Sequence, residues 1–212
     1  MSRSHASCLF LDFSKSQKRL TVTPRALTRI CLIGVFAMIA SSSHAQIDRW
    51  FTVQPIQIRD DFGMNPAPMP IFQAETEKIY AQAGVAPIWL PTVQVDDSSM
   101  LSVSSVLDLN VPGNGQHVDP LTINMWFVED MPTTPGYVLY GEAYVNGNGV
   151  AINGTDVQNY NSGVGRLDTV AHEIGHNLNL RHSNFGAGGS ENLVTAGSVR
   201  EVPGDISHIT PD

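Results

Sequence analysis

The chain has 212 residues, with 20 acidic against 12 basic side chains, a formal charge of −8 at pH 7, and two cysteines. That balance excludes a polycationic nucleic-acid binder and a disulfide-stapled miniprotein, while the length allows one domain with a sizeable core.

Residues 1–45 read as an address. Lys15, Lys18, Arg19, Arg25 and Arg29 precede an apolar run from Ile30 to Ala40, and Ser43-His44-Ala45 places small residues around a cleavage point. The eleven-residue run is too short to span a bilayer but suits a secretory signal peptide. The expectation is cleavage after Ala45 and release of residues 46–212 into an extracellular or periplasmic space, an uncleaved anchor being the alternative. Cys8 and Cys31 both fall in the leader, so the remainder has no thiol for a disulfide or a metal. It keeps 6 basic against 19 acidic residues, a formal charge of −13. No nucleic-acid partner is expected, and no membrane partner once the leader is gone.

Apolar and polar side chains alternate from Arg49 to Asp60, which predicts a strand, with Pro55 placing it at an edge or a bulge. Residues 60–70, rich in Pro, Gly and Asn, predict a loop, and 71–83 predict a helix ended by Gly84. Residues 85–95 predict a second strand broken by prolines. Between 96 and 120, Leu101, Val103, Val106 and Leu109 fit either a short strand or a short helix, and Pro112 to Gly115 form a turn. His117 reads as a solvated loop histidine. The run LTINMWFVEDM predicts a strand at the centre of a sheet, and two shorter strands are expected around the Gly/Asn loop of 136–153. Residues 153–165 read as a polar loop. Asp156 there lacks regular calcium-loop spacing, and Asn153-Gly154-Thr155 is a glycosylation sequon for a host that modifies secreted chains.

Thr169 to Asn184, TVAHEIGHNLNLRHSN, carries the chemistry. On a helix predicted over 166–178, His172 and His176 stand one turn apart on one face, with Glu173 beside the first. That is the arrangement of a zinc site with a built-in general base. Ile174, Leu178 and Leu180 offer an apolar side, and Asp168 near the start suits a capping or dipole role. His182 reaches the same face only if the helix stops first.

HEIGHNLNLRH resembles the HExxHxxGxxH signature of the metzincin zinc peptidases. The resemblance implies Zn2+ on His172, His176 and His182, with Glu173 as the catalytic base. Asn179 stands at the glycine position, and Asn is the next most tolerant residue for a left-handed turn. Asn192-Leu193-Val194-Thr195 is similar to the family's methionine turn with Val in place of Met, and Ala196 stands where some members carry a zinc-bound tyrosine. The implied fold is α+β, a twisted mixed sheet of about five strands with an active-site helix and a short C-terminal subdomain, His208 having no assigned role. By position, Glu142–Val145 or Gly149–Asn153 would be the edge strand that pairs with an extended substrate, an ordinary internal hairpin being the alternative. The implied function is a secreted zinc endopeptidase acting on protein or peptide substrates. A catalytically vestigial zinc-binding domain and a zinc hydrolase of other bonds are the alternatives.

Overall fold

The computed structural model describes residues 46–110, 115–117, 119, 121–182, 189 and 192–195. The expected leader, Ala196, His208 and most of the expected C-terminal subdomain lie outside them.

Strand β1 (Arg49–Arg59) is the longest element of a mixed sheet. Helix α1 (Gln73–Ala81) crosses from it to β2 (Val85–Trp89), and β3 (Val93–Asp96) follows. Both run parallel to β1, pairing with its first and second halves respectively. On the other side β1 pairs with β4 (Thr122–Val128), and β4 with β6 (Val150–Asn153), both parallel. The short β5 (Gly141–Ala143) closes the order β2-β1-β4-β6-β5 as an antiparallel edge. The sheet has six strands rather than about five, because 85–96 splits at Pro91 into two.

Pro55 corrects the expectation of an edge. β1 is central, and Pro55 sits opposite Met125 of β4 in register. The Val53 carbonyl accepts from the Leu90 amide at 2.9 Å, so Val53 and, two residues on, Pro55 turn their hydrogen-bonding groups towards β2 and β3. Pairing with β2 ends at Val53 and pairing with β3 begins at Ile56. The missing N–H therefore falls in the gap between the two neighbours, where no ladder bond is lost. The Gln54 side-chain amide fills that gap, donating to the Pro55 and Pro91 carbonyls.

Every residue of β4 is buried because both faces of the sheet are covered. Ile123, Met125 and Phe127 pack with Val53, Val150 and Ile152 under the helices. Trp126 and Val128 pack on the other face with Ile56, Ile58 and the 100–109 segment. That segment forms two 3₁₀ turns, Ser98–Met100 and Val106–Asp108, which tuck Met100, Val106 and Leu109 against the sheet. Burying side chains of this size stabilises by about 1.5–3 kcal/mol each, so β4 is the fold's anchor.

The polar loop expected over 153–165 is instead a helix, α2 (Gly154–Gly163), kinked at Tyr160, Asn161 and Ser162. Asn153 caps it: its side-chain oxygen accepts from the Asp156 amide at 3.1 Å, and its side-chain nitrogen donates to the Asp156 carboxylate at 2.9 Å. This reciprocal cap and the burial of Val157 outweigh the weak helix propensity of the sequence. Both chemical readings of the segment change with it. The Asn153 side chain is fully buried, so the sequon is closed in the folded chain, and the Asp156 carboxylate serves the cap.

Candidate metal centre

Helix α3 (Thr169–Asn177) starts three residues later than expected and ends one earlier. Asp168 holds the N-cap position without a side-chain capping bond, so the dipole role stands and the capping role does not. All nine residues of the helix are buried. Val170, Ala171 and Ile174 face the sheet, three and four apart. Leu180 joins that packing, whereas the expected contribution of Leu178 is corrected, since it lies exposed beyond the helix. On the same face the Tyr80 hydroxyl of α1 donates to the Ala171 carbonyl at 2.9 Å. Burial pushes the Tyr80 hydroxyl well above its usual pKa, so it stays a neutral donor.

The helix ends where Asn179 turns left-handed, with φ of 74°. The Leu180 amide donates to the Gly175 carbonyl and the Asn179 amide to the His176 carbonyl, both at 2.9 Å. Those two bonds are a Schellman motif with Asn in the position usually held by Gly. The chain then doubles back and delivers His182 to the face of His172 and His176.

The three Nε2 atoms form a triangle with edges of 3.2, 3.2 and 3.2 Å. Three nitrogens on a tetrahedral zinc at ~2.0–2.1 Å would be ~3.3–3.4 Å apart. The Nδ1 atoms of two rings are already engaged. That of His172 meets the Leu193 carbonyl, and that of His176 meets the Leu180 carbonyl at 2.7 Å. A carbonyl only accepts, so each Nδ1 carries the proton and each Nε2 presents a lone pair to the centre. Lone pairs converging at this distance repel unless a cation lies between them. The donor set therefore fits a divalent metal with nitrogen preference, and carbonyl partners on the outer nitrogens are what such ligands need to be oriented. Among the described residues these three form the only such cluster of potential ligands. His117 stays apart from it, its Nδ1 accepting from the Asp119 amide at 3.3 Å.

The turn at 192–195 lies beneath this centre. The Thr195 amide donates to the Asn192 carbonyl at 3.1 Å, and the Asn192 side chain accepts from the Val194 amide at 3.0 Å. Val194 is buried in the main core beside Ile174 and Leu193. The shorter side chain still packs under the helix.

A cleft of about 810 Å³ opens over the triad. Its floor includes His172, Glu173 and His176, and its walls include β5, residues 136–140 and Arg181. Glu173 is buried against Gly141 of β5. A Cβ at residue 141 would stand 2.9 Å from Glu173 Cγ and 3.0 Å from the Ala151 carbonyl oxygen. Glycine there leaves the space that the carboxylate arm occupies. Asn177 ties the same hairpin to the helix, donating to the Tyr144 and Gly149 carbonyls at 2.9 and 3.0 Å and accepting from the Gly149 amide at 2.9 Å.

Gly141, Asn177, Tyr80 and Arg166 were not singled out by sequence reasoning as site residues. Only Asn177 carried a local signal, lying inside the motif one residue after His176. Gly141 meets Glu173 across 32 positions of chain, Tyr80 meets Ala171 across 91, and Arg166 is distinguished by its burial.

Residues 94–183 match the family model described as Metallo-peptidase family M12B Reprolysin-like, a span that contains the whole HEIGHNLNLRH segment. That stretch of the chain is metallopeptidase-like, and with the histidine triad it bears out the resemblance to metzincin-type zinc peptidases. Among solved structures the chain is similar to archaemetzincin from Archaeoglobus fulgidus, at 17% identity and a TM-score of 0.37, covering 69% of this chain and 85% of that one. None of the curated proteins compared with the chain matches it.

Proposed function

We propose that the chain is a secreted zinc-dependent endopeptidase in which His172, His176 and His182 hold the metal and Glu173 is the general base. The observation that carries this reading is the triangle of Nε2 atoms, 3.2 Å on each side, with buried Glu173 in the same cleft. When bound, zinc supplies Lewis acidity, lowering the pKa of water towards neutrality and polarising a carbonyl. Glu173 takes the proton of the attacking water and passes it to the leaving amine. Gly141 keeps the Glu173 arm against β5, and the Leu193 and Leu180 carbonyls hold two of the imidazoles in the tautomer a metal needs.

Of the two candidate segments for substrate pairing, β6 lies inside the sheet and β5 forms its edge along the cleft. In this reading an extended substrate adds to β5, whose backbone groups bind without reading sequence. Secretion rests on the basic and apolar pattern of residues 15–45. Among the described residues no helix is long and apolar enough to cross a membrane.

Digestion of a denatured protein, with products mapped by mass spectrometry, tests the reading. Zinc-dependent cuts at internal bonds are expected. Trimming only from one end would make the chain an exopeptidase, and no cutting with zinc bound would make the site vestigial.

A further inference from the structure

The cleft wall holds a cation whose chemistry the hydrolytic machinery leaves unused. Arg166 lies one turn before α3 and is 5% exposed, and its side chain lines the same cleft as the triad. The guanidinium lies over two aromatic rings, with Cζ 4.5 Å from the Tyr140 ring centre and 5.3 Å from that of Tyr160, the two rings standing at 85° to each other. Those contacts steady the charge without giving its N–H groups an oxygen acceptor. Among the described residues the Nη2 atom is buried with no hydrogen-bond partner, and so is the Thr169 hydroxyl, on a residue that also lines the cleft. No carboxylate lies within ion-pair distance of Arg166 among the described residues. The carboxylate of Glu142 is engaged elsewhere, accepting from the Val106 amide at 2.7 Å. Residues 46–212 hold six basic side chains, and two of them, Arg166 and Arg181, line this one cleft. Two glutamates, Glu142 and Glu173, line the cleft with them.

Thr169, His172, Glu173 and His176 follow one another at helical spacing, and Arg166 precedes the helix by three residues. With a rise of ~1.5 Å per residue, Thr169 stands ~4–5 Å along the axis from His172. A group held by Arg166 and Thr169 is therefore within a residue or two of a peptide bond lying over the triad.

We propose that Arg166 and Thr169 form a carboxylate-binding subsite, so that the site favours substrates with a carboxylate close to the bond over the metal. This rests on the peptidase reading for its register but not for its chemistry. A guanidinium whose buried Nη2 has no acceptor matches a carboxylate, and the Thr169 hydroxyl adds a second donor. The carboxylate comes from an acidic side chain or from the substrate's own C-terminus.

Binding to the zinc-loaded full chain carrying Glu173→Ala separates these cases. Calorimetry would compare end-blocked peptides in which one Glu or one Gln is scanned along the sequence, and a second set ending in carboxylate or carboxamide. The expectation is a single position where Glu binds at least about tenfold tighter than Gln, about 1.4 kcal/mol, or the same gain from a free terminus. Arg166→Gln should abolish that gain and Arg166→Lys should restore part of it. The Glu/Gln comparison needs no mutation of the arginine, so it holds even if that variant folds poorly. Binding within twofold for every pair, no binding at all, or a preference unchanged in Arg166→Gln would overturn the subsite. Hydrolysis by the parent chain is read in parallel. Cleavage without carboxylate preference sinks the subsite and leaves the peptidase. Carboxylate-dependent binding without cleavage does the reverse.

Discussion

At the scale of the residue, the site depends on small side chains and odd backbone angles as much as on its ligands. Gly141 has no Cβ, and a methyl there would meet both the Glu173 arm and the Ala151 carbonyl. Gly141→Ala should therefore displace the carboxylate and lower kcat by about 10- to 100-fold, with zinc content unchanged by metal analysis. Asn179 sits at φ 74°. Asn179→Gly should leave stability within about 0.5 kcal/mol, whereas Asn179→Val should cost about 1–2 kcal/mol and weaken zinc binding, because His182 follows from that turn. Denaturant unfolding with and without zinc separates the two effects. Tyr80 gives a pH signature. Its folded pKa is raised by burial, so the unfolded chain loses that proton first, and stability present below about pH 10 falls as pH rises beyond it. Tyr80→Phe should remove that component of the alkaline slope and lose the bond to the Ala171 carbonyl. The clustering of the three histidines and the turn at Asn179 were legible in the sequence because helical period and the tolerance of Asn for φ > 0 are local properties. Arg166 and Gly141 were not legible, since what distinguishes them is the stacking and crowding of residues distant in the chain.

At the scale of the element, the same division holds. The nearly continuous apolar run of β4 was readable as a central strand because burial on both faces leaves little polar alternation. Pro55 misled, because its cost depends on which neighbour it faces, and the gap between β2 and β3 is a fact of pairing rather than composition. The helix at 154–163 was hidden in a polar, glycine-bearing sequence, where only the Asn153–Asp156 cap and buried Val157 favour it. Edge strand β5 has three residues and makes its only ladder with β6. Its position over the triad depends on the three Asn177 bonds that fasten the hairpin to α3. Asn177→Ala leaves buried backbone groups unpaired and should cost about 2 kcal/mol. If β5 is the substrate-pairing edge, the same change should raise KM more than it lowers kcat. An unchanged KM would remove β5 from the substrate path.

At the scale of the whole molecule, two cores enclose the sheet, and the site lies where the helical layer meets its β5 edge. The triad draws on a helix, a loop beyond it and a turn from further down the chain, so a bound metal joins segments that otherwise meet only by packing. Anything that binds the folded state alone stabilises it by mass action, about 4 kcal/mol when free metal is a thousandfold above its dissociation constant. Chelation should accordingly lower Tm by several degrees, with recovery on adding zinc. Total charge was legible from composition and fold class from the resemblance carried by HEIGHNLNLRH, but the meeting of Arg166 and Arg181 in one cleft was not. It needed the chain's path from the kink at Tyr160 into α3.

The most direct test of the zinc-and-glutamate account is to measure bound zinc and peptide turnover together in the parent chain and in Glu173→Ala. The account predicts about one zinc per chain in both and a loss of kcat by about 10²- to 10⁴-fold in the variant. Equal turnover in the two, or loss of zinc along with turnover, would contradict it.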